Sequence, residues 1–243
     1  MNQKERYYKA VDELFAKIRA TQDDKIEQAA AMMADCVANG GCIHLFDTGH
    51  IINSELLNRA GGFVLMRRFS YNLNVDSDVR KRDRSAIKTD QEGLAMYALR
   101  SSGVLPGDVM VIGSVSGKTP NVIDLALACR EFGVKVIAVT SVTYSSQLET
   151  PHSCGKRLFE LADIVLDNCS PFGDAMLPVE GVEKPFSPAS GLAAAYIMWA
   201  VANQLLEDLL AKGITPSILG SVNYPENVEF NNALYKRYEN EGI

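Results

Sequence analysis

The stretch "DVMVIGSVSGKTPNVIDLALACREFG", residues 108–133, indicates the fold class of this chain. Its apolar run at 109–112 is typical of a buried strand, and residues 122–132 have the apolar spacing of an amphipathic helix. Between the two lie three hydroxyl side chains, a glycine and a lysine, followed by a proline. A buried strand that runs directly into a helix indicates a parallel sheet with helices on its faces.

Similar segments flank this stretch on both sides. Short apolar runs at 42–46, 62–66, 134–141 and 162–168 predict four further strands, and helical patterns cover 53–61, 92–103 and 188–213. Strands that alternate with helices predict an α/β fold, here a doubly wound, mainly parallel, five-stranded sheet of the flavodoxin-like type.

Both ends of the chain differ from this alternating pattern. Apolar residues recur at helical spacing from Tyr8 to Ile18 and again from Ile26 to Val37, before Asn39-Gly40-Gly41 ends the pattern. We predict that residues 1–40 form a helical hairpin within the same domain, that residues 41–213 form the main α/β domain, and that residues 214–243 form a C-terminal tail with a short polar helix.

The hydroxyl-rich loop between the strand and the helix has the features of an anion site. Ligands bind at the carboxyl ends of the strands in doubly wound sheets, and the first amides of a helix lack internal partners. Ser114, Ser116 and Thr119 add hydroxyl donors, Gly117 permits close approach, and the backbone at Lys118 supplies another amide. The alternative is that Thr119 is a helix cap and the serines are turn residues. No P-loop spacing and no GxGxxG occurs.

Composition excludes several classes of protein. The chain has 243 residues, a formal net charge of −6 and no long basic run, which argues against nucleic-acid binding. The basic cluster at 80–88 is interrupted by acid, so it is a solvated loop or a substrate-facing rim. Five cysteines without a CxxC pair fit a reducing compartment, and no signal peptide or membrane-length apolar segment is visible. We expect a cytoplasmic protein without membrane contacts.

The quoted stretch also resembles the phosphosugar-binding signature of the sugar isomerase (SIS) domain family. The likeness extends to "TGHIINSELLNRAGG" (48–62), "HSCGKRLFELADIVLDNCSPFGDA" (152–175), "SPASG" (187–191) and "SVNYPENVEFN" (221–231), which resemble a bacterial branch of phosphosugar-binding SIS-domain proteins. The resemblance implies that the ligand is a sugar phosphate. It also implies a homodimer, with a tetramer as the alternative, because the N-terminal helices of such proteins pack against a second subunit.

The resemblance assigns residues to the site. Ser114, Ser116 and Thr119, with backbone amides near Gly117 and Lys118, would hold the sugar phosphate. The other expected phosphosugar-binding residues are Thr48, Gly49, Ser187 and Ser190. The first strand of this branch is usually followed by Gly-Thr-Gly-His-Ser. This chain has Asp47 in place of the first glycine and Ile51 in place of the serine. Asp47 would repel a substrate anion or bind a sugar hydroxyl, which puts the usual ligand in doubt.

Three residues are candidates for catalysis. Moving a proton between adjacent sugar carbons requires a carboxylate or an imidazole near the reacting atoms. Glu55 and His50 follow the first strand, and His152 opens "HSCGK". The alternatives are a surface acid for Glu55, a turn or capping residue for His50, and a solvated loop histidine for His152. A metal bound by these three residues is conceivable, but the chain lacks the close His/Cys spacing of a dedicated site. No metal or cofactor is therefore expected.

These observations favour a phosphosugar isomerase of the aldose-ketose type. Two alternatives stay open: a lyase or etherase that acts on an amino-sugar phosphate, and a phosphosugar sensor without catalysis. A sensor would have to act through a protein partner, because no helix-turn-helix with basic recognition residues is visible.

Overall fold

Five parallel strands form the central sheet, in the order β2-β1-β3-β4-β5. In the computed structural model, which describes residues 1–49, 52–87 and 92–243, these strands are Ile43–Asp47 (β1), Met66–Arg68 (β2), Val109–Gly113 (β3), Lys135–Thr140 (β4) and Ile164–Asp167 (β5). The predicted α/β fold with a five-stranded parallel sheet is confirmed.

Helices cover both faces of the sheet. They are Gln3–Ala38 (α1), Asn53–Leu56 (α2), Leu94–Arg100 (α3), Pro120–Phe132 (α4), Val142–Ser145 (α5), Ser190–Ala211 (α6) and Glu226–Glu241 (α7). The helices α1 and α6 pack together on one face, and α3 and α4 pack together on the other. None of the helices in the described ranges has the length and apolar composition needed to cross a membrane.

The middle strand β3 contributes to two hydrophobic cores. Val109 and Val111 belong to the core beneath α1 and α6, whereas Met110 and Ile112 belong to the core beneath α3 and α4. Successive residues of a strand point to opposite faces, so both faces of β3 are buried. This explains why the strand is one continuous apolar run in the sequence rather than an alternating pattern.

The N-terminal segment is one continuous helix, which corrects the predicted hairpin. α1 contains 36 residues and is therefore about 54 Å long. The polar residues between the two apolar patterns include neither glycine nor proline, so nothing there breaks a helix. Gln22 lies on the buried stripe, and its side-chain oxygen accepts a hydrogen bond from the backbone N–H of Asp167 at 2.9 Å. A buried glutamine with a defined partner thus interrupted the hydrophobic pattern without interrupting the helix.

Several element boundaries also differ from the sequence prediction. The helix after β1 ends at Leu56, because the backbone becomes extended at Leu57 and left-handed at Asn58. The second strand begins at Met66, whereas Phe63 pairs with Ile218 of the C-terminal segment. An antiparallel pair, Ala175–Leu177 (β6) and Phe186–Pro188 (β7), precedes α6 and was not predicted.

Candidate functional site

The hydroxyl-rich loop, residues 114–119, connects the carboxyl end of β3 to the first turn of α4. β1 lies on one side of β3 and β4 on the other, and the connections from β1 and β3 leave in opposite directions along the sheet. This point of divergence is the topological switch point, where doubly wound sheets bind their ligands. The loop therefore begins at the edge of the sheet that the fold offers to a ligand.

Hydrogen bonds within the loop fix its shape. The Ser114 hydroxyl oxygen accepts a hydrogen bond from the backbone N–H of Gly117 at 3.3 Å, and Ser114 is only 3% exposed. The hydroxyl of Thr140, at the end of β4, donates to the backbone oxygen of Val115 at 3.0 Å. The backbone of Gly117 is left-handed, with a φ of +54°. The loop is thus a rigid turn attached to two neighbouring strands.

A cleft of 330 Å³ lies over this loop. Its lining combines three hydroxyl residues of the loop with residues from three other segments: Thr48, Gly49, Ser114, Val115, Ser116, Thr119, Tyr144 and Asp174. The structure thus brings five of the predicted phosphosugar-binding residues to one cleft, namely Thr48, Gly49, Ser114, Ser116 and Thr119.

Thr119 has an unusual environment for a helix-capping residue. It occupies the N-cap position of α4, yet its side chain accepts no hydrogen bond from the helix. Its hydroxyl oxygen is buried and has no hydrogen-bond partner in the described part of the chain. A buried hydroxyl without a partner costs about 1–3 kcal/mol. The capping alternative therefore does not explain Thr119, whereas a ligand in the cleft would satisfy it.

Backbone amides add donors next to this hydroxyl. The N–H groups of Ser116, Lys118 and Thr119 donate no hydrogen bond to another described residue. They precede the 13-residue helix α4, whose dipole places partial positive charge at its N-terminus. Pro120, at the first helical position, has no N–H to leave unpaired. The arrangement suits an anion with several oxygen atoms.

Asp174 and Tyr144 are polar residues of the cleft lining that are not among the predicted phosphosugar-binding residues. The Asp174 carboxylate accepts hydrogen bonds from the backbone N–H and the hydroxyl of Ser190, both at 2.8 Å, which places it at the start of α6. Tyr144 reaches the cleft because the Ser141 hydroxyl caps α5 by accepting from the Tyr144 N–H at 3.1 Å. The sequence contains one indication of this arrangement: a serine directly after β4 is a typical helix-capping residue, and Tyr144 lies three positions after it.

The remaining predicted binding residues lie behind the cleft or away from it. Gly117 is a buried residue of the loop itself, and the backbone oxygen of Lys118 accepts a hydrogen bond from the Thr150 hydroxyl. Ser190 directs its hydroxyl to Asp174 rather than into the cleft. Ser187 lies on β7 and lines a separate apolar cavity beside the N-terminal turns of α1. The structure thus does not place Ser187 with the hydroxyl-rich loop.

The three catalytic candidates have different surroundings. Glu55 lies on α2 and forms an ion pair with Arg59 at 3.2 Å, and it is not among the residues that line the cleft. His50 lies outside the described residues, as does Ile51. His152 is only 6% exposed and lies in a turn next to the hydroxyl-rich loop. Within the described ranges, no group of three or more His, Cys, Asp and Glu side chains is placed to hold a metal ion.

The imidazole of His152 has one nitrogen without a hydrogen bond. Its Nδ1 accepts a hydrogen bond from the backbone N–H of Cys154 at 3.1 Å, and the carboxylate of Glu92 lies 3.9 Å from the same nitrogen. A neutral ring in this position carries its proton on Nε2. That Nε2 is buried and has no hydrogen-bond partner in the described part of the chain. The Nε2–H of His152 could thus donate a hydrogen bond to a ligand or to a water molecule.

Asp47, the departure from the branch motif, has its carboxylate oxygens turned toward its own loop. One oxygen accepts from the N–H of Gly49 at 2.8 Å, and the other accepts from Ile52 at 2.6 Å and Asn53 at 3.2 Å. The side chain therefore connects Gly49, which follows β1, to Ile52 and Asn53 at the start of α2. An aspartate at this position, where the branch usually has glycine, thus has three backbone N–H groups of the described residues as hydrogen-bond partners.

Burial affects one titratable group next to α4. Burial and then the charge of Asp124 raise the pKa of Tyr71 above its usual range. Its phenol therefore stays protonated and donates to the backbone oxygen of Asn121 in the first turn of α4, at 3.3 Å. This contact supports the helix whose N-terminus faces the cleft.

His44 has a structural role at the opposite edge of the sheet. Its Nε2 lies 2.9 Å from the carboxylate of Asp108, which also accepts hydrogen bonds from the backbone N–H groups of Cys42 and Leu105. These residues are at the amino ends of β1 and β3, away from the cleft. His44 is therefore a hydrogen-bonded histidine near the core.

Comparison with known proteins adds three findings. The family model described as the SIS domain matches residues 6–141. A UPF0309 protein from Streptomyces griseus is 36% identical over 234 residues, which cover 96% of this chain and 93% of the relative. Further UPF0309 proteins occur in other bacteria, including one from Shouchella clausii that is 30% identical over 99% of this chain.

Solved structures with the same fold are more distant in sequence. A phosphoheptose isomerase from Francisella tularensis superposes with a TM-score of 0.50 at 16% identity, covering 87% of this chain and 100% of that protein. A phosphoheptose isomerase from Neisseria gonorrhoeae also gives a TM-score of 0.50, at 18% identity, covering 85% of this chain and 98% of that protein. At these identities the likeness concerns the fold alone.

Proposed function

The chain belongs to the SIS domain family and to its UPF0309 group, and from this premise we propose that it binds a phosphorylated sugar in the cleft over residues 114–119. The phosphate lies against the hydroxyls of Ser114, Ser116 and Thr119 and the amides at the N-terminus of α4. The sugar extends toward Thr48 and Tyr144, which line the same cleft.

The observation that carries this proposal is the buried Thr119 hydroxyl without a partner. It lies beside amides that also lack partners in the described part of the chain, so a phosphate would satisfy several donors at once. Among the described residues, no lysine or arginine lines the cleft, so we assign the binding to hydroxyls, amides and the helix dipole. The volume of 330 Å³ lies at the lower end of the range for small-molecule sites, about 300–1,000 Å³, and suits a compact ligand.

The second part of the proposal is that the bound sugar is isomerised by proton transfer between adjacent carbons. Glu55, His50 and His152 stay the candidates for this transfer. Among them, His152 has a buried Nε2 without a hydrogen-bond partner in the described part of the chain, which favours a role as hydrogen-bond donor to a sugar oxygen. The fold itself accommodates such chemistry, since the two superposed proteins are named phosphoheptose isomerases. The sensor and the amino-sugar phosphate lyase or etherase remain the competing functions.

Binding is tested by calorimetric titration with a panel of hexose, hexosamine, pentose and heptose phosphates and with the same sugars lacking phosphate. We expect at least one phosphate ester to bind and its parent sugar not to bind. Thr119→Val removes the hydroxyl while keeping the shape of the side chain, and should weaken the binding of the phosphate ester about tenfold or more. Thr215→Val, at an exposed threonine after α6, is the matched control and should leave the affinity unchanged. Equal affinity for ester and parent sugar would refute the proposal.

Turnover is tested separately on every ester that binds. Proton NMR in D₂O detects an isomerase by exchange of the proton next to the carbonyl and by appearance of the ketose or aldose product. Glu55→Gln should abolish exchange without loss of binding. The control Glu13→Gln removes a comparable i,i+4 ion pair, with Lys9 on α1, and should change neither ligand binding nor proton exchange. Binding without exchange in the unmodified protein would indicate the sensor, and release of a side group would indicate the lyase or etherase.

A further inference from the structure

A second cavity of 660 Å³ adjoins the cleft and shares Thr48 and Gly49 with it. We call it the arginine cavity; its lining is Asp47, Thr48, Gly49, Asn53, Ser54, Leu57, Asn58, Met66, Arg67 and Arg68. It lies at the carboxyl ends of β1 and β2, on the same edge of the sheet as the hydroxyl-rich loop. A ligand held in the cleft could therefore extend into the arginine cavity past Thr48 and Gly49.

The cavity contains positive charge that the protein itself does not neutralise. Arg67 and Arg68 both line it, and neither guanidinium group forms an ion pair or a hydrogen bond with another described residue. The guanidinium of Arg67 lies 5.5 Å from the ring centre of Tyr235 and 5.2 Å from that of Tyr238, both on α7. Such cation–π contacts hold the side chain without using its hydrogen-bond donors. Arg67 thus presents a fixed set of donors.

Asp47, the one acidic residue among the described lining residues, does not offset this charge fully. The carboxylate of Asp47 already accepts from the backbone N–H groups of Gly49, Ile52 and Asn53. Two arginines against one aspartate leave the lining positive, although the whole chain has a net charge of −6. The side-chain oxygen of Asn53 is buried there and has no partner among the described residues. The cavity therefore offers guanidinium donors for an anion and an acceptor for a hydroxyl.

We propose that the arginine cavity binds a second anionic group of the ligand, so that the ligand class is sugar phosphates that carry a carboxylate or a further phosphate. The inference rests on the proposed function, because the first phosphate occupies the cleft. The planar guanidinium matches both carboxylate and phosphate oxygens in pairs. The Asn53 oxygen accepts from a sugar hydroxyl between the two anionic ends.

The test compares three six-carbon probes by calorimetric titration: glucitol 6-phosphate, 6-phosphogluconate and glucitol 1,6-bisphosphate. They differ only in whether the far end is a hydroxyl, a carboxylate or a phosphate. We expect one or both doubly anionic probes to bind at least tenfold more tightly than glucitol 6-phosphate. The probe that binds more tightly than glucitol 6-phosphate identifies the second anionic group.

Variants show which residues are responsible for the tighter binding of the doubly anionic probes. Arg68→Gln, at an exposed position, should remove most of the preference for the second anion and leave the affinity for glucitol 6-phosphate unchanged. Arg100→Gln removes an equally exposed arginine on α3 and should leave the preference intact. Thr119→Val should weaken the binding of all three probes by the same factor, because it removes a contact with the phosphate that the three probes share.

The outcomes separate this inference from the proposed function. If all three probes bind equally, or if Arg68→Gln and Arg100→Gln behave alike, the arginine cavity does not bind an anion, and phosphosugar binding in the cleft stands. If none of the probes binds, while another phosphate ester binds through Thr119, the ligand class inferred here is wrong. If no phosphate ester binds at all, both proposals fail together.

Discussion

The hydroxyl of Thr150 donates a 2.9 Å hydrogen bond to the backbone oxygen of Lys118 and also accepts one from the backbone N–H of His152 at 3.1 Å. A single side chain thus joins the turn that holds His152 to the loop that we propose binds phosphate. A second connection runs from the backbone N–H of Leu158 to the oxygen of Gly117 at 2.8 Å. Residues 150–158 therefore support the hydroxyl-rich loop from behind.

Replacing Thr150 should weaken ligand binding although the side chain does not line the cleft. Thr150→Val keeps the volume but removes both hydrogen bonds, each worth about 0.5–1.5 kcal/mol. Because the loop then loses part of its support, we expect the affinity for a phosphate ester to fall about threefold to tenfold. Titration of this variant beside Thr215→Val measures the effect. Equal affinities would show that Lys118 is held adequately without Thr150.

Gly117 should tolerate no side chain. A Cβ there would lie 3.1 Å from both the Leu158 Cβ and the Ser145 hydroxyl oxygen, and 3.2 Å from the Thr140 hydroxyl oxygen. The left-handed backbone adds strain of its own, about 1–2 kcal/mol. Gly117→Ala should therefore lower the free energy of unfolding and displace the loop from the cleft.

The matched control is Gly155→Ala. Gly155 is also left-handed, with a φ of +67°, but a Cβ would meet nothing within 4 Å. Chemical denaturation should show that Gly117→Ala costs about 1–3 kcal/mol more than Gly155→Ala, the usual cost of overpacking. Equal costs would mean that the loop relaxes freely, contrary to the rigid turn described above.

Removing the Asp47 carboxylate should destabilise the loop between β1 and α2. Asp47→Ala leaves the N–H groups of Gly49, Ile52 and Asn53 without their acceptor, which should cost about 1–3 kcal/mol in the free energy of unfolding. Asp76→Ala, at an exposed aspartate, is the control and should stay within about 0.5 kcal/mol of the unmodified protein. A similar small change for Asp47→Ala would show that water replaces the carboxylate at no cost.

The cysteines should differ widely in reactivity. Burial raises the pKa of Cys36 and of Cys129 to about 12, with the charge of Asp108 adding to the effect at Cys36. At pH 8 such a thiol is ionised in roughly one molecule in 10,000, and only the thiolate reacts. Cys154 is exposed, in the turn that contains His152.

Mass spectrometry after brief treatment with iodoacetamide at pH 8 should find the label on Cys154 and not on Cys36 or Cys129. Raising the pH toward 12 should ionise the two buried thiols, whereas unfolding in urea should expose all of them at once. Fast labelling of Cys129 in the folded protein would contradict the packing of the core under α4.

The sheet could be predicted from sequence because its physical signal is local and redundant. β3 and residues 136–139 of β4 are apolar throughout, since both faces of each strand are buried there. α1 was misread because a buried polar residue on a helix resembles a break unless its partner is known. The partner of Gln22 is the backbone of Asp167, 145 positions away, and no local pattern contains it.

The same reasoning applies to the cleft. Ser114, Ser116 and Thr119 could be predicted because they lie within six consecutive residues that lead directly into a helix. Asp174 and Tyr144 enter the cleft through contacts with Ser190 and Ser141 that depend on how α5 and α6 are placed. Ser187 was grouped with Ser190 because the two are close in sequence. β7 turns it toward α1 instead, through a left-handed backbone at Ser187.

A crystal structure of the protein with a bound sugar phosphate tests the central claim most directly. We expect phosphate density in the cleft, with oxygens within hydrogen-bond distance of the hydroxyls of Ser116 and Thr119 and of the N–H of Lys118. A phosphate bound elsewhere on the molecule, with residues 114–119 unoccupied and the Thr119 hydroxyl still without a partner, would contradict it.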